Sequence, residues 1–210
     1  MIVDGVVLIF AYLLGAVPFG LVLTRIAGLG DIREIGSGNI GATNVLRTGR
    51  KDLALLTLLL DSGKGAIAVL ITGYYATLGD GPSLFGATIY PVVAGAVAFL
   101  GHCFPVWLAF KGGKGVATFF GTLIAISPFI ALISGITWAL MALIFRMSSL
   151  AGLSAALAAP LAMASVGRAE HWPYVGFMTL LIFWRHKENI SRLLKGTEPK
   201  IGAKKEADPS

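Results

Sequence analysis

Val116-Ala-Thr-Phe-Phe-Gly-Thr-Leu-Ile-Ala-Ile-Ser127-Pro128-Phe-Ile-Ala-Leu-Ile-Ser-Gly-Ile-Thr-Trp-Ala-Leu-Met-Ala-Leu-Ile-Phe145 carries no charge, and the number of times it crosses a membrane decides the fold. As one helix it would reach about 45 Å, against a hydrocarbon layer of about 30 Å, so a single upright crossing is too short for it. Ser127-Pro128 near its middle offers a turn, because proline lacks an N–H and pushes the preceding residue out of helical backbone. The stretch reads either as one kinked span or as a short pair whose second member covers 129–145.

The remaining apolar runs lie near 3–26, 53–76, 84–100, 150–166 and 172–184. Most have the length that crosses a bilayer. Of the 210 residues 56% are hydrophobic and 13% charged, with a mean hydropathy of +0.80. A soluble core of this size would need a polar shell that this composition lacks, so a polytopic membrane protein is expected. The first run is expected to stay as a span rather than be removed as a signal peptide. Asp4 stands where a basic start would be, and no small-residue cleavage pattern precedes Arg25.

Charge chooses between six and seven spans, since Lys and Arg near span ends collect on the cytoplasmic side. Seven spans with the amino end outside put Arg25, Arg33, Arg47, Arg50, Lys51, Lys111, Lys114, Arg146 and the basic tail from Arg185 to Lys205 inside. Lys64 falls within the second span, and Arg168 is the one cation left outside. A six-span threading puts either the tail or the first loops on the wrong side. The expected fold is therefore an all-α polytopic integral membrane protein with seven transmembrane helices, amino end out and carboxyl end cytoplasmic. Residues 1–198 are expected to form one domain, followed by a disordered tail over 199–210, rich in Lys, Ala and acidic residues.

On that threading every glycine-rich polar segment faces the cytoplasm. Residues 110–118, Phe-Lys-Gly-Gly-Lys-Gly-Val-Ala-Thr, set Gly112, Gly113 and Gly115 among Lys111 and Lys114, a composition suited to an anion cradle. Residues 36–47, Gly-Ser-Gly-Asn-Ile-Gly-Ala-Thr-Asn-Val-Leu-Arg, can form a second nest. There Ser37, Asn39, Thr43 and Asn44 supply short hydrogen-bonding groups, and Arg47 can grip an oxyanion with two nitrogens. A plain Gly/Asn turn ahead of a helix is the competing reading. Neither segment is a nucleotide P-loop: position 108 is Leu where that pattern needs Gly, and Gly115 follows Lys114 where it needs Ser or Thr.

Asp61 and Lys64 lie three residues apart inside the second span, sharing one helical face. A charge at mid-bilayer costs about 2.5 to 3.5 kcal/mol, so the two are expected to neutralise each other, with Lys64 also able to add positive potential to the site. His102 at the inner end of the third span reads as a helix-end cap or a base. Arg146 with Ser148 and Ser149 adds a cation and two hydroxyls at another inner corner, where a serine helix cap is the alternative. His186 and Asn189 share a face of a segment running from Arg185 to Glu198, which can also be read as an interfacial anchoring helix. His171 beside Trp172 looks like an outer interface residue.

Several chemistries are set aside. The histidines and acids show no metal-ligand spacing, so no metal or other cofactor is expected. Cys103 is alone and cannot form an intrachain disulfide. The net charge of +6 flanks spans rather than forming a stripe with stacking aromatics, so no nucleic-acid partner is expected. No Gly-x-Ser-x-Gly elbow occurs, and no histidine is followed by four residues and Asp.

Taken in order and at these topological positions, residues 36–47, 61–65, 101–118 and 185–198 resemble the bacterial membrane acyl-phosphate:glycerol-3-phosphate acyltransferases over essentially the whole chain. The resemblance implies seven transmembrane helices and transfer of a fatty acyl group from acyl phosphate to the 1-hydroxyl of glycerol 3-phosphate. It assigns Ser37, Asn39, Thr43 and Asn44 to the acyl-phosphate end, Arg47 and Lys114 to phosphate, and Gly112, Gly113 and Gly115 to the glycerol 3-phosphate loop. It also has His186 and Asn189 help hold substrates, one of Ser148 and Ser149 take part, and Glu198 act structurally beside Asp61 and Lys64. A bacterial inner membrane location with a cytoplasmic site and no obligatory protein partner follows. A transporter of phosphate or a small organic phosphate is the reading from another class, but such proteins favour midplane sites and repeated halves, and no repeat is visible here.

Overall fold

The computed structural model describes residues 2–78, 85–165 and 169–202. Among these the regular elements are all helical. They run α1 (Ile2–Ala16), α2 (Phe19–Ile26), α3 (Ala42–Val45), α4 (Lys51–Thr77), α5 (Gly86–Cys103), α6 (Val116–Ile126), α7 (Pro128–Phe145), α8 (Ser148–Ser165), α9 (Trp172–Arg185) and α10 (Lys187–Leu194). Arg168, Lys204 and Lys205, used above in the charge argument, lie outside the described residues, as does the tail over 203–210.

The stretch from Val116 to Phe145 divides at the expected place. Ser127 is extended (φ −155°, ψ 93°), and Pro128 opens α7, where a missing N–H costs nothing. The run 3–26, expected as one span, holds two helices whose axes differ by 45° and which together are long and apolar enough for one broken span. Pro18 causes the break, because its ring prevents the continuous hydrogen-bond ladder. The carbonyl of Val17 freed there accepts the Phe19 N–H at 3.1 Å and Lys64 Nζ at 3.0 Å.

Among the described residues four helices, α4, α5, α7 and α8, are long and apolar enough to cross a membrane, and the bent α1–α2 pair makes a fifth if it counts as one span. α6 is apolar but has only 11 residues, about 16 Å. Large apolar side chains point outward at a density water would not tolerate, among them Leu143 (77% exposed) and Leu180 (72%). The molecule is a helical, multi-pass membrane protein.

Inside the bundle α4 packs on α5 and α6, α1 on α5, and α7 on α8. Lipid tails are as apolar as leucine, so helices in a bilayer associate by close packing, and small residues permit it. A Cβ at Gly121 would lie 1.8 Å from the Ser62 carbonyl oxygen, and one at Gly15 2.0 Å from that of Ala98. Phe99, Phe119, Leu123, Ile130, Met163, Met178 and Ile182 fill the space between α5, α6, α7, α8 and α9. At the end of the bundle carrying the α1 amino terminus, Tyr90 Oη donates to the Asp4 carbonyl (2.7 Å) and Tyr75 Oη to its carboxylate (3.2 Å). The loops at 27–41 and 104–115 and the segment 185–202 gather at the opposite end.

Candidate active site

Gly36 and Gly38 adopt left-handed backbone (φ 57° and 67°), which turns the first loop back toward α3. Asn44 holds that turn from within. Its Nδ2 donates to the carbonyls of Ile32 and Ile35, each at 2.9 Å, while its Oδ1 accepts from Ser37 N–H at 3.1 Å and Ser37 Oγ at 3.3 Å. Asn44 is buried and engaged at both ends of its amide, so it acts here as the loop's brace. Arg47 is exposed and lies across Gly36, with Nη1 3.5 Å from Asn44 Oδ1. Any side chain at position 36 would collide with that guanidinium.

The second loop leaves α5 through Ala109 and Phe110, two successive non-glycine residues with positive φ (48° and 61°). Such backbone costs about 1 to 3 kcal/mol per residue and persists only where its surroundings enforce it. The N–H of Gly112 donates to the Cys103 carbonyl (3.1 Å) and that of Gly113 to the His102 carbonyl (3.0 Å). These two amides are therefore turned into the fold, which corrects the picture of a nest whose glycine N–H groups converge on an anion. Of the loop's two lysines, Lys111 is exposed and Lys114 is directed at the site.

Arg185, at the end of α9, supplies what sequence reading missed. Its Nη2 and Nε donate to the carbonyls of Gly112 (2.6 Å) and Gly113 (3.1 Å), and its guanidinium stands 5.6 Å from the Phe104 ring centre. A planar five-donor fork suits this two-carbonyl grip, and its charge stays beside the loop. The one signal available was its place as the first cation after the apolar run 172–184.

Between the two loops and α10 lies a cleft of about 190 Å³. Ser37, Gly38 and Asn39 line one side, Gly112 and Lys114 another, and Trp184, Arg185, Lys187 and Glu188 a third. Of the expected site residues the cleft thus gathers Ser37, Asn39, Gly112 and Lys114. Asn189 joins them by accepting a hydrogen bond from Lys114 Nζ. Asn44, Gly113, Gly115, Ser149 and His186 are buried behind the lining, whereas Thr43 and Arg47 are exposed and, like Ser148, do not line the cleft. Gly115 has φ 84° and ends against the Phe99 ring, so it shapes the α6 entry.

A chain of hydrogen bonds supports Asn189. Its Nδ2 donates to Glu198 Oε1 (2.6 Å), which also accepts from Ser149 Oγ (2.6 Å), and Arg192 Nε donates to Glu198 Oε2 (2.7 Å). Burial opposes the Glu198 charge, but these donors outweigh it and hold the carboxyl below its ordinary range. Ser148 instead meets Thr43, Oγ to Oγ1, at 3.1 Å, tying the first loop to α8. Further along, the Ile201 N–H donates to the Arg146 carbonyl at 2.6 Å, which carries the chain past Glu198 onto the α7–α8 corner.

Electrostatics separate Lys114 from His186. Burial, aided by Arg192 and Arg185 and opposed by Glu198 and Glu188, brings Lys114 down to about 8. Burial and the neighbouring Lys114 charge push His186 down to about 4, despite its ring Nδ1 lying 2.8 Å from the Ile182 carbonyl. At neutral pH Lys114 is therefore a cation and His186 a neutral imidazole. His102 is buried beneath Gly113 and does not line the cleft.

Known proteins resemble this chain over nearly its whole length. A family model described as glycerol-3-phosphate acyltransferase matches residues 5–196. The glycerol-3-phosphate acyltransferase of Maricaulis maris (strain MCS10) is 62% identical over 194 residues, spanning 92% of this chain and 85% of that one. That of Caulobacter vibrioides (strain NA1000 / CB15N) is 56% identical over 208 residues, 97% of this chain and 90% of its own. The crystal structure of PlsY (YgiH), an integral membrane glycerol 3-phosphate acyltransferase, in its glycerol 3-phosphate form superposes with a TM-score of 0.86 at 39% identity, covering 95% of this chain and 96% of that one. Its lysophosphatidic acid form gives 0.84 at 38% identity. With its whole helical core matched and both polar loops inside the matched region, the chain belongs to the glycerol-3-phosphate acyltransferase family.

Proposed function

We propose that the chain transfers a fatty acyl group from acyl phosphate to the 1-hydroxyl of glycerol 3-phosphate, releasing lysophosphatidic acid and phosphate. Family membership carries the acceptor and the reaction class. The observation that supports the chemistry is the cleft where Lys114, Arg185 and Lys187 meet Ser37 and Asn39 of the first loop. Both substrates are phosphates, and one cationic cleft between two polar loops can hold them together. Fixing two reactants in one geometry supplies much of the rate.

In the step itself the 1-hydroxyl oxygen bonds to the acyl carbonyl carbon, the bond from that carbon to the phosphate oxygen breaks, and the hydroxyl proton passes to the departing phosphate. Lys114 and Arg47 stabilise charge on phosphate oxygens, and Ser37 and Asn39 position the acyl-phosphate end. No strong protein base is required. His186, neutral and pushed down to about 4, is poorly matched to that task near neutral pH.

The finer topology belongs to the same proposal: seven crossings with α6 and α9 as the shorter ones, amino end outside, and the cleft on the cytoplasmic face of a bacterial inner membrane. Residues 1–198 act as one domain, past which the chain continues onto the α7–α8 corner through the Ile201 N–H bonded to the Arg146 carbonyl, and no protein partner is needed. The positions of Lys and Arg support this orientation. A phosphate transporter is disfavoured by the placement of the cleft among terminal loops rather than at mid-bundle.

The test is purified protein with glycerol 3-phosphate and either acyl phosphate or acyl-CoA, followed for lysophosphatidic acid and free phosphate. Product from acyl phosphate is expected. Product from acyl-CoA alone would keep the reaction class and overturn the donor.

A further inference from the structure

Asp61, Lys64 and His102 are all buried, at 2%, 1% and 4% exposure, and take no part in the reaction described above. Lys64 Nζ lies 2.9 Å from Asp61 Oδ1 and donates to the Val17 carbonyl at the α1–α2 break. His102 Nδ1, buried and without a hydrogen-bond partner among the described residues, stands 3.6 Å from the same Asp61 oxygen, just outside hydrogen-bond reach. A buried ion pair of this kind is weak evidence of stabilisation, because removing two charges from water offsets most of their attraction. Its position is more informative than its energy. His102 meets Gly113 twice: its carbonyl accepts the Gly113 N–H at 3.0 Å, and its ring sits so close that a Cβ on Gly113 would lie 2.0 Å from Nε2. Gly113 precedes Lys114, so any movement of the His102 ring is felt one residue from the cleft's ammonium.

We propose that Asp61 and His102 are positioning residues that set the Gly112 to Lys114 loop, and with it Lys114, for the acceptor's phosphate. The inference rests on the reading that this loop holds glycerol 3-phosphate. Asp61, itself fixed by Lys64, keeps the imidazole in place, and the imidazole is the floor on which Gly113 lies. Arg185 grips the same loop from the other side through the carbonyls of Gly112 and Gly113. The loop is thus held between a buried polar floor and a guanidinium roof.

Double-mutant cycles with glycerol 3-phosphate test this, since residues that act through one another are non-additive. His102→Ala and Asp61→Asn are each expected to raise KM for glycerol 3-phosphate about tenfold while KM for acyl phosphate stays within about twofold. Asp61→Asn should add nothing in the His102→Ala background. Gly113→Ala should also raise that KM, and His102→Ala should partly relieve it by vacating the space the methyl needs. Where Asp61→Asn leaves Lys64 unpaired and the protein fails to fold, Asp61→Asn with Lys64→Met replaces it. Additive effects, or equal losses for both substrates, would overturn the proposal, as would a collapse of kcat at unchanged KM, which would make His102 a proton carrier. The same cycles read as Kd for glycerol 3-phosphate need no turnover. A wild-type protein that binds glycerol 3-phosphate but forms no product would sink the reaction reading alone, whereas unshifted Kd values in His102→Ala and Asp61→Asn would sink this one.

Discussion

Asn189 presents its amide oxygen to the Lys114 ammonium, and its amide nitrogen is spent on Glu198 Oε1 at 2.6 Å. The two contacts fix which way the amide points. Asn189 therefore serves the cleft by aiming Lys114, with Glu198 holding it from behind. Replacing it by Asp sets two carboxylates face to face where a donor is needed, while Leu removes both contacts. Each variant is expected to lose about 10- to 100-fold in kcat/KM, roughly 1.4 to 2.7 kcal/mol of transition-state stabilisation. Steady-state assays on the folded fraction check this, and unchanged kcat/KM in Asn189→Leu would show that Lys114 needs no such aim.

Arg185 holds two adjacent carbonyls with two nitrogens, a task lysine cannot repeat. Arg185→Lys keeps the charge beside the cleft and loses the fork. About a tenfold fall in kcat/KM is expected for Lys, and a larger fall for Ala, which also removes the charge. Equal activities for Lys and wild type would assign Arg185 to charge alone.

The residues differ in how much they revealed in advance. The Ser127-Pro128 break was legible because local chemistry and an excess of length point to the same place. Pro18 carried the same local signal, but the run around it had a normal spanning length, so nothing forced a division there. Ser37, Asn39 and Lys114 were legible as phosphate-suited groups on glycine-rich loops. The Arg185 grip was not, because its acceptors are backbone carbonyls, and a carbonyl leaves no trace in side-chain identity. For the same reason the glycines at 112 and 113 suggested amides open to an anion. Their N–H groups meet the carbonyls at the end of α5, a choice made by tertiary packing.

Lys114 predicts the alkaline side of the pH profile. Its value of about 8 lies below that of a solvated lysine, because burial disfavours the charge. It is charged below that pH and loses its proton as pH rises through it, so phosphate binding should weaken above about pH 8. kcat/KM for glycerol 3-phosphate should then fall on that limb. Lys114→Arg, which stays charged across the range, should keep whatever activity it has to higher pH. A wild-type limb unmoved by Lys114→Arg would assign the titration to another group.

Ser148 and Ser149 are adjacent yet differ in what they hold. Ser149 is buried and donates to a carboxylate that also orients Asn189, whereas Ser148 shares one bond with Thr43 of the first loop. A hydrogen bond to a charged group contributes about 1.5 to 3 kcal/mol, against about 1 kcal/mol for a neutral pair. Ser149→Ala should therefore lower the melting temperature more than Ser148→Ala, and it should also reduce kcat/KM, because Glu198 loses a partner on the oxygen it shares with Asn189. Ser148→Ala should affect KM for acyl phosphate ahead of stability, since Thr43 lies in the helix that follows the loop bearing Ser37 and Asn39. Thermal unfolding in detergent, paired with KM for each substrate, separates the two. The reverse order of melting temperatures would mean that Glu198 is held well enough by Asn189 and Arg192 without Ser149.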